Sequence, residues 1–290
     1  MGDVAASREG SAPPNGVEWP ASDPPPEGID LDGGRLVFID EGPKGAPALI
    51  ALHGIPGSGR DFRYLAPQLS DTMRVLRLDL PGFGGSEVVD DAISTLAGRA
   101  RVVLEFADRL GLERFVVLGH SMGGGTALLA AARAPTRIEL LVLVASVGLT
   151  RHQGLGHAPW VFRCLAGGVA LPLLGRLLLP SLRAEYQRRR FPGADGMTAC
   201  QFALQLRAIS ALDFGAIRRA ASIRLPQTLV AFAEDDPLVE TQVSHELAQG
   251  LPHSRVLAFE SGGHNLQKTR APELAEAIRA SLKCRAPIAS

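Results

Sequence analysis

The 290-residue sequence predicts an α/β fold, a mostly parallel, doubly wound sheet that carries helices on both faces. Two observations predict it. Short apolar runs typical of buried strands alternate along the chain with longer helix-like stretches, which is the pattern of a covered parallel sheet. The alternation breaks once, over residues 151–221, where four prolines interrupt helix-like pieces and no strand-like run occurs. We therefore expect an α/β core with one helical cap inserted into it.

Seven runs of the sequence predict strands and five stretches predict helices. Strand-like apolar runs lie at 36–39, 48–52, 75–78, 115–118, 140–145, 228–232 and 256–259. Helix-like stretches lie at about 60–69, 94–110, 122–134, 240–249 and 271–283. In such a sheet, functional residues are expected beyond the carboxyl ends of the strands.

The same pattern sets the domain boundaries. Residues 1–27 are rich in Pro, Gly, Ala and Ser and predict a disordered tail. The core is expected at 28–150 and 222–290, with the helical cap at 151–221 between its two parts.

Composition excludes several classes of protein. A formal net charge of zero argues against nucleic acid as a partner, because nucleic-acid binding usually needs a basic surplus. The three cysteines, Cys164, Cys200 and Cys284, fit neither a metal-binding pattern nor a disulfide framework and indicate a reducing compartment. The sequence starts without a signal-peptide pattern, and no apolar run approaches the roughly 20 residues of a membrane span. We expect a soluble, cytoplasmic protein without a metal or cofactor.

A nucleophile motif stands at residues 119–123, which read Gly-His-Ser-Met-Gly after the strand-like run 115–118. In a Gly-x-Ser-x-Gly elbow the turn is too tight for side chains at the flanking positions. The turn raises the serine hydroxyl onto the tip of the strand, where a base can reach it. Ser121 is therefore the expected nucleophile.

A serine hydroxyl needs a base to take its proton, and the base needs an acid to orient it. His264 is the best-placed base, since it follows two glycines in the loop after the last strand. The acid is expected after the strand 228–232, where Glu234, Asp235 and Asp236 are all candidates. The end of the strand after the elbow cannot supply it, because no acid occurs between positions 139 and 185. For Asp235 we expect a solvated loop charge.

The oxyanion of an acyl-transfer reaction needs hydrogen-bond donors. One is expected to be the backbone N–H of Met122, directly after the nucleophile, and the other the N–H of Ile55 in the loop after an early strand. His53 is expected to brace that loop by hydrogen bonding. His120 is expected to pack or to make a structural hydrogen bond.

At this point the chain resembles the α/β-hydrolase family over about residues 31–150 and 222–285. The resemblance rests on His-Gly-Ile-Pro-Gly at 53–57, Asp-Leu-Pro-Gly-Phe-Gly-Gly-Ser at 79–86, the elbow, Asp236 and Gly263-His264. It implies a sheet of about eight strands with a lid after the sixth. It also selects Asp236 as the acid, since the family often ends a Gly-x-x-Asp stretch there, although Ala233 stands at the Gly position.

Within the capped branch of this family, a serine nucleophile separates the chain from epoxide hydrolases and haloalkane dehalogenases, which attack with an aspartate. Only Tyr186 lies in the cap, so the paired lid tyrosines of epoxide hydrolases are missing. The resemblance implies a carboxylesterase with the triad Ser121, His264 and Asp236, acting on a small, apolar acyl substrate. Two alternatives stay open: a carbon–carbon bond hydrolase with the same triad, and a ligand-binding protein on a hydrolase scaffold. The sequence does not indicate an oligomeric state.

The cap is strongly basic. Residues 151–224 contain eleven arginines, no lysine and three acids. One interpretation is that the arginines form a solvated helical face. The other is that arginines such as those at 188–190 attract an anionic substrate or contact an anionic membrane surface. The apolar run 171–179 is expected either to form an acyl pocket or to pack the cap against the core.

Overall fold

The computed structural model of the chain describes residues 23–87, 94–188, 196–251 and 253–283. Its centre is an eight-stranded sheet in the order β1-β2-β4-β3-β5-β6-β7-β8. The strands are β1 (Glu27–Leu31), β2 (Gly34–Glu41), β3 (Ala48–Leu52), β4 (Arg74–Leu78), β5 (Phe115–His120), β6 (Ile138–Val144), β7 (Thr228–Ala233) and β8 (Arg255–Phe259). The pairs β1–β2 and β2–β4 are antiparallel, and all others are parallel.

Helices cover the sheet and form the cap. The α-helices are α1 (Ala66–Leu69), α2 (Leu96–Arg109), α3 (Met122–Arg133), α4 (Pro159–Ala170), α5 (Pro172–Arg188), α6 (Ala199–Ser210), α7 (Phe214–Ala221), α8 (Thr241–Gln249), α9 (Leu266–Thr269) and α10 (Ala271–Lys283). Four of them, α4 to α7, lie between β6 and β7. The predicted α/β sheet of about eight strands with a helical insertion after the sixth is confirmed.

The central strands are buried on both faces, as β3 shows. Ile50 and Leu52 belong to the core cluster that holds α2 and α3, while Leu49 and Ala51 belong to the cluster on the opposite face, with α1 and α10. Successive side chains of a strand point to opposite faces, so a strand covered on both sides is apolar at every position. This is why the central strands read as continuous apolar runs in the sequence.

The first strand was missed by the sequence prediction. Only Leu31 of β1 is buried, so this edge strand carries too few apolar residues to give a signal. Just before it, Asp23 makes an ion pair of 2.9 Å with the buried Arg77. The predicted tail at 1–27 is therefore too long at its end, since structure is present from residue 23. Residues 1–22 lie outside the described residues.

The cap has a small core of its own. Tyr186 of α5 and Phe202 of α6 meet edge to face, with ring centroids 4.9 Å apart, within a cluster that α4 also joins. The last helix of the predicted cap, α7, instead places Ile217 and Ala220 in the core cluster of the sheet. The cap as a separate packing unit thus ends before the predicted boundary at residue 221. None of the helices in the described ranges is both long and apolar enough to cross a bilayer.

Candidate active site

Ser121 occupies a strained turn between β5 and α3. Its backbone has φ 53° and ψ −120°, a region that residues other than glycine rarely adopt. A Cβ at position 119 would lie 2.2 Å from the carbonyl oxygen of Gly123, and one at position 123 would lie 2.2 Å from that of Leu52. Both glycines of the motif are therefore required by backbone contact, and the structure contains the predicted elbow.

His264 and Asp236 meet through the register of the last two strands. Ala233 of β7 lies opposite Phe259 of β8, so the two loops that follow start side by side. The Nδ1 of His264 lies 2.8 Å from Oδ2 of Asp236, and the Asp236 side chain is almost fully buried. Of the three candidate carboxylates, Asp236 is the one that reaches the histidine.

The surroundings of Asp236 keep it ionised. Burial by itself would raise the pKa of this carboxyl group, but the hydrogen bond with His264 and two backbone N–H groups outweigh it, so the pKa is lowered. Those N–H groups belong to Leu238 and Val239 and donate to Oδ1 at 2.8 and 3.1 Å. An ionised carboxylate can only accept a hydrogen bond, so the Nδ1 of His264 carries the proton. In the neutral ring, Nε2 is then the free base.

The predicted site residues surround one cavity of about 450 Å³. Ser121, His264, Ile55 and Met122 all line it, and Asp236 lies behind His264. A Cβ on Gly54 would come within 2.8 Å of the Cβ of Ser121, so the loop that carries Ile55 passes directly beside the serine. Across the described ranges, no hydrogen bond joins Ser121 to the His264 ring. In ligand-free sites such contacts often tighten only when substrate binds.

Two further histidines hold this arrangement in place, as predicted. The fully buried His53 pairs through Nδ1 with the Gly54 carbonyl at 2.7 Å, and its Nε2 accepts the Leu80 N–H at 3.0 Å. His120 donates from Nε2 to the carbonyl of His264 at 2.9 Å. Burial and the neighbouring His264 lower the pKa of His120 to about 3, so this ring is neutral.

Asp235 is exposed to solvent, as predicted, but it also has a structural role that the sequence did not predict. Its Oδ1 accepts the N–H groups of Gly262 and Gly263 at 2.9 and 2.7 Å. These glycines precede His264, and Gly263 has φ 62°. Asp235 therefore fixes the loop that carries His264, through contacts between residues far apart in the sequence.

An ion pair that the sequence also did not predict ties the two sides of the site together. Lys268, in α9 just after His264, contacts Asp61 at 2.7 Å, and Asp61 follows the loop of Ile55. Burial would raise the pKa of Asp61, but the pairing with Lys268 outweighs it, and the pKa is lowered. The pair is charged and joins the segment after the Ile55 loop to the helix after His264.

Arg99 of α2 is a buried cation beneath the elbow. Its guanidinium donates to Sδ of Met122 at 2.9 Å and lies 5.2 Å from the centroid of the Phe83 ring. Burial lowers the pKa of Arg99 to about 9. No ion pair to Arg99 occurs in the part of the chain that the structure describes. No sequence pattern indicated this residue, because arginine in a helix is usually exposed.

The cavity walls come mostly from the cap. They are largely apolar, with Phe162, Leu165, Leu182 and Leu206 among them, and a smaller polar part includes Glu185 and Arg188. Of the two alternatives for residues 171–179, the acyl pocket is wrong, since that run does not contribute to these walls. Leu178 and Leu179 instead pack against the core of the cap. The leucines of the run were assigned by composition, and only the packing of α5 shows which way they face.

Of the predicted cluster at 188–190, Arg188 lines the cavity and forms an ion pair with Glu185. Arg189 and Arg190 lie outside the described residues. Within the described ranges, no three His, Cys, Asp or Glu side chains lie close enough to hold a metal ion.

The chain matches one family model and several curated proteins by sequence. A family described as alpha/beta hydrolase fold matches residues 47–193. The 2-hydroxymuconate semialdehyde hydrolase of Pseudomonas putida is 30% identical over 261 residues, covering 85% of this chain and 90% of that protein. The acetyltransferase component of the acetoin-cleaving system of Cupriavidus necator is 38% identical over 128 residues. The chain spans only about a third of that longer protein, 34% of its length.

Solved structures share the fold. The haloalkane dehalogenase DbeA of Bradyrhizobium elkani superposes with a TM-score of 0.72 at 19% identity, over 90% of this chain and 99% of that one. An esterase of Exiguobacterium antarcticum superposes with a TM-score of 0.69 at 20% identity, over 88% of this chain and 98% of that one. At such identities the likeness describes architecture alone.

Proposed function

Because the chain belongs to the α/β-hydrolase family, we propose that it is a serine hydrolase that cleaves a carboxylic ester or a related acyl substrate through an acyl-serine intermediate. The observation that carries the proposal is the buried pair of Asp236 and His264, 2.8 Å apart, at the cavity that the strained Ser121 also lines.

In the proposed first half-reaction, the Oγ of Ser121 attacks the acyl carbon while its proton passes to Nε2 of His264. The oxygen of the tetrahedral intermediate takes the new negative charge and accepts hydrogen bonds from the N–H groups of Ile55 and Met122. Met122 begins α3, so the positive end of that helix adds to this stabilisation. His264 then gives the proton to the leaving alkoxide, and the alcohol departs.

In the second half-reaction, water attacks the acyl-serine while His264 takes a proton from it. The same two N–H groups donate hydrogen bonds to the second oxyanion. When this tetrahedral intermediate collapses, His264 returns the proton to Oγ of Ser121 and the carboxylic acid is released. Asp236 stays ionised throughout and stabilises the imidazolium that forms twice in each cycle. Its lowered pKa supports this role.

The cavity supports an apolar acyl group as the substrate. Leucine and phenylalanine side chains from α4, α5 and α6 contribute to its largely apolar walls, and burial of apolar surface is worth about 25 cal/mol per Å². The exposed thiols of Cys164 and Cys200 are free, which supports a reducing, cytoplasmic location as part of the proposal.

A carbon–carbon bond hydrolase is the second candidate, and the relative from Pseudomonas putida favours it. There the same serine would attack a ketone carbonyl, and a stabilised carbanion would leave in place of an alkoxide. Such an enzyme would cleave a vinylogous diketone and act poorly on simple esters.

The test is a series of initial rates on p-nitrophenyl esters from acetyl to palmitoyl, for the wild type and Ser121→Ala. A matched control is Ser222→Ala, which removes a serine hydroxyl outside the site, bonded only to the Arg219 carbonyl. We expect turnover that Ser121→Ala abolishes and Ser222→Ala retains, and the preferred chain length measures the pocket.

Turnover that survives in Ser121→Ala would refute the nucleophile. No ester turnover, with cleavage of a vinylogous diketone, would establish the second candidate. Tight binding of esters with no turnover on either class would identify a ligand-binding protein on this scaffold.

A further inference from the structure

The outer side of the cap carries an apolar surface, which we call the outer cap face. It consists of Trp160, Arg163, Leu171, Leu173, Leu174, Arg176 and Leu177. Trp160, Leu173 and Leu177 are 68%, 79% and 75% exposed. Across the described residues, five of the seven large apolar side chains that are exposed lie in this face. Single exposed leucines are ordinary, but a concentration of this kind marks an interaction surface.

The face spans two helices, α4 and α5, which pack against each other. On α4, positions 160 and 163 are one turn apart and lie on the same side of the helix, while Phe162 and Leu165 line the cavity on the other side. On α5, positions 173, 176 and 177 share a side in the same way. The helices meet closely, since a Cβ on Gly168 would lie 3.2 Å from Leu174.

Leu173 and Leu177, the two most exposed leucines of this face, do not belong to the core of the cap. Leu178 and Leu179 of α5 pack against the cap core, whereas Leu173 and Leu177 project to solvent. The helix is therefore apolar on both sides over its first two turns. A helix that only covered the cavity would present polar residues outward.

The charge of the face is uniformly positive. Arg163 and Arg176 are exposed within it, and neither takes part in an ion pair between described residues. No acid occurs from position 151 to position 184. The partner of this surface must therefore accept leucine and tryptophan side chains and also carry negative charge.

From this combination we propose that the outer cap face docks on an anionic lipid bilayer. Leucines and a tryptophan enter the boundary of the acyl chains, while Arg163 and Arg176 contact the headgroups. A second copy of the chain fits less well, because a symmetric contact would bring each arginine against positive charge. The proposal does not depend on catalysis, so it stands or falls separately from the proposed hydrolase activity.

The experiment uses the full chain in a Ser121→Ala background, so that hydrolysis cannot alter the lipid. Flotation with vesicles of phosphatidylcholine alone, or with about 30% phosphatidylserine, measures binding at about 50 mM and about 500 mM NaCl. We expect binding to the anionic vesicles at low salt, and at least about tenfold weaker binding to neutral vesicles or at high salt.

Two double variants and two matched controls assign the surface. Leu173→Ser with Leu177→Ser should abolish vesicle binding, whereas Ile223→Ser with Val256→Ser, exposed apolar residues elsewhere, should not. Arg163→Gln with Arg176→Gln should weaken binding about 25-fold, about fivefold for each charge. Arg101→Gln with Arg255→Gln removes the same charge outside the face and should leave binding unchanged.

Equal binding to neutral and anionic vesicles would overturn the proposal, as would binding that both face variants retain. If no vesicle binds and the face variants instead convert a dimer to a monomer in sedimentation, the occupant is a second copy. Circular dichroism of each variant establishes that a loss of binding is not a loss of fold.

Discussion

Replacing Asp236 with asparagine changes the proton on His264 without changing the shape of the site. The Oδ1 of Asp236 accepts two backbone N–H groups, from Leu238 and Val239. In the variant the amide oxygen must keep that place, since an NH₂ group cannot accept from two donors. The amide NH₂ then faces Nδ1 of His264, which has to accept a hydrogen bond from it. The ring is held in the tautomer with a proton on Nε2, where it cannot take the proton of Ser121.

The expected loss is therefore that of the base, with the fold preserved. A wrong tautomer in a Ser-His-Asp triad lowers kcat about 10⁴-fold, which corresponds to about 5.5 kcal/mol of transition-state stabilisation. We expect a fall of about 10³- to 10⁴-fold in kcat with little change in KM. The two N–H bonds to Oδ1 are kept, so we expect Tm to change by only about 3 °C.

The assay is the rate on the best p-nitrophenyl ester, with Asp235→Asn as the control. That variant makes the same chemical change one residue away. The amide oxygen of Asn can still accept from Gly262 and Gly263, so we expect activity within about threefold of the wild type. Asp236→Asn activity within about tenfold of the wild type, or an equal loss in both variants, would refute the reasoning.

Three further predictions concern the supports of the site. Gly123→Ala places a Cβ 2.2 Å from the Leu52 carbonyl oxygen and should prevent folding or lower Tm by more than about 10 °C. In the control Gly167→Ala, the new Cβ has nothing within 4 Å and should not lower Tm. Equal Tm values for the two variants in thermal scans would contradict this prediction. Lys268→Met leaves Asp61 unpaired and should cost about 3 kcal/mol in urea unfolding, much of which Asp61→Leu in the same chain should restore. His120 has its pKa lowered from 6.5 to about 3, so below pH 6.5 the unfolded state binds a proton that the folded state does not. Wild-type stability should thus fall by about 2 kcal/mol more than that of His120→Gln between pH 8 and pH 5, and parallel pH curves would disprove the assignment.

The parts of the fold that were predicted correctly are those with a local signal. Strand β3 was predicted with the observed ends, because five consecutive buried residues read as an apolar run. The edge strand β1 was missed because only Leu31 is buried in it. In the cap, composition identified an apolar run at 171–179, but a helix that is apolar on both sides gives no periodicity from which to assign its faces.

The candidate site divides in the same way. The elbow could be read from residues 119–123, since a turn with such close backbone contacts tolerates glycine alone at its flanks. The sequence around Glu234, Asp235 and Asp236 did not show which of these carboxylates pairs with His264. The register of β7 against β8 brings Asp236 to His264 and Asp235 to the glycines before it.

The amino-acid sequence alone was enough to predict seven of the eight strands, the helical insertion between the strands at 140–145 and 228–232, and the positions of the elbow and the histidine loop. These follow from the spacing of apolar residues and from glycine positions, which act over a few residues. The pairing of Asp61 with Lys268, the contact of Arg99 with Met122, and the leucines of the cap that face solvent became visible only in the folded chain. Each of these depends on distances between residues far apart in the chain, which are set by how the strands align and how the helices pack.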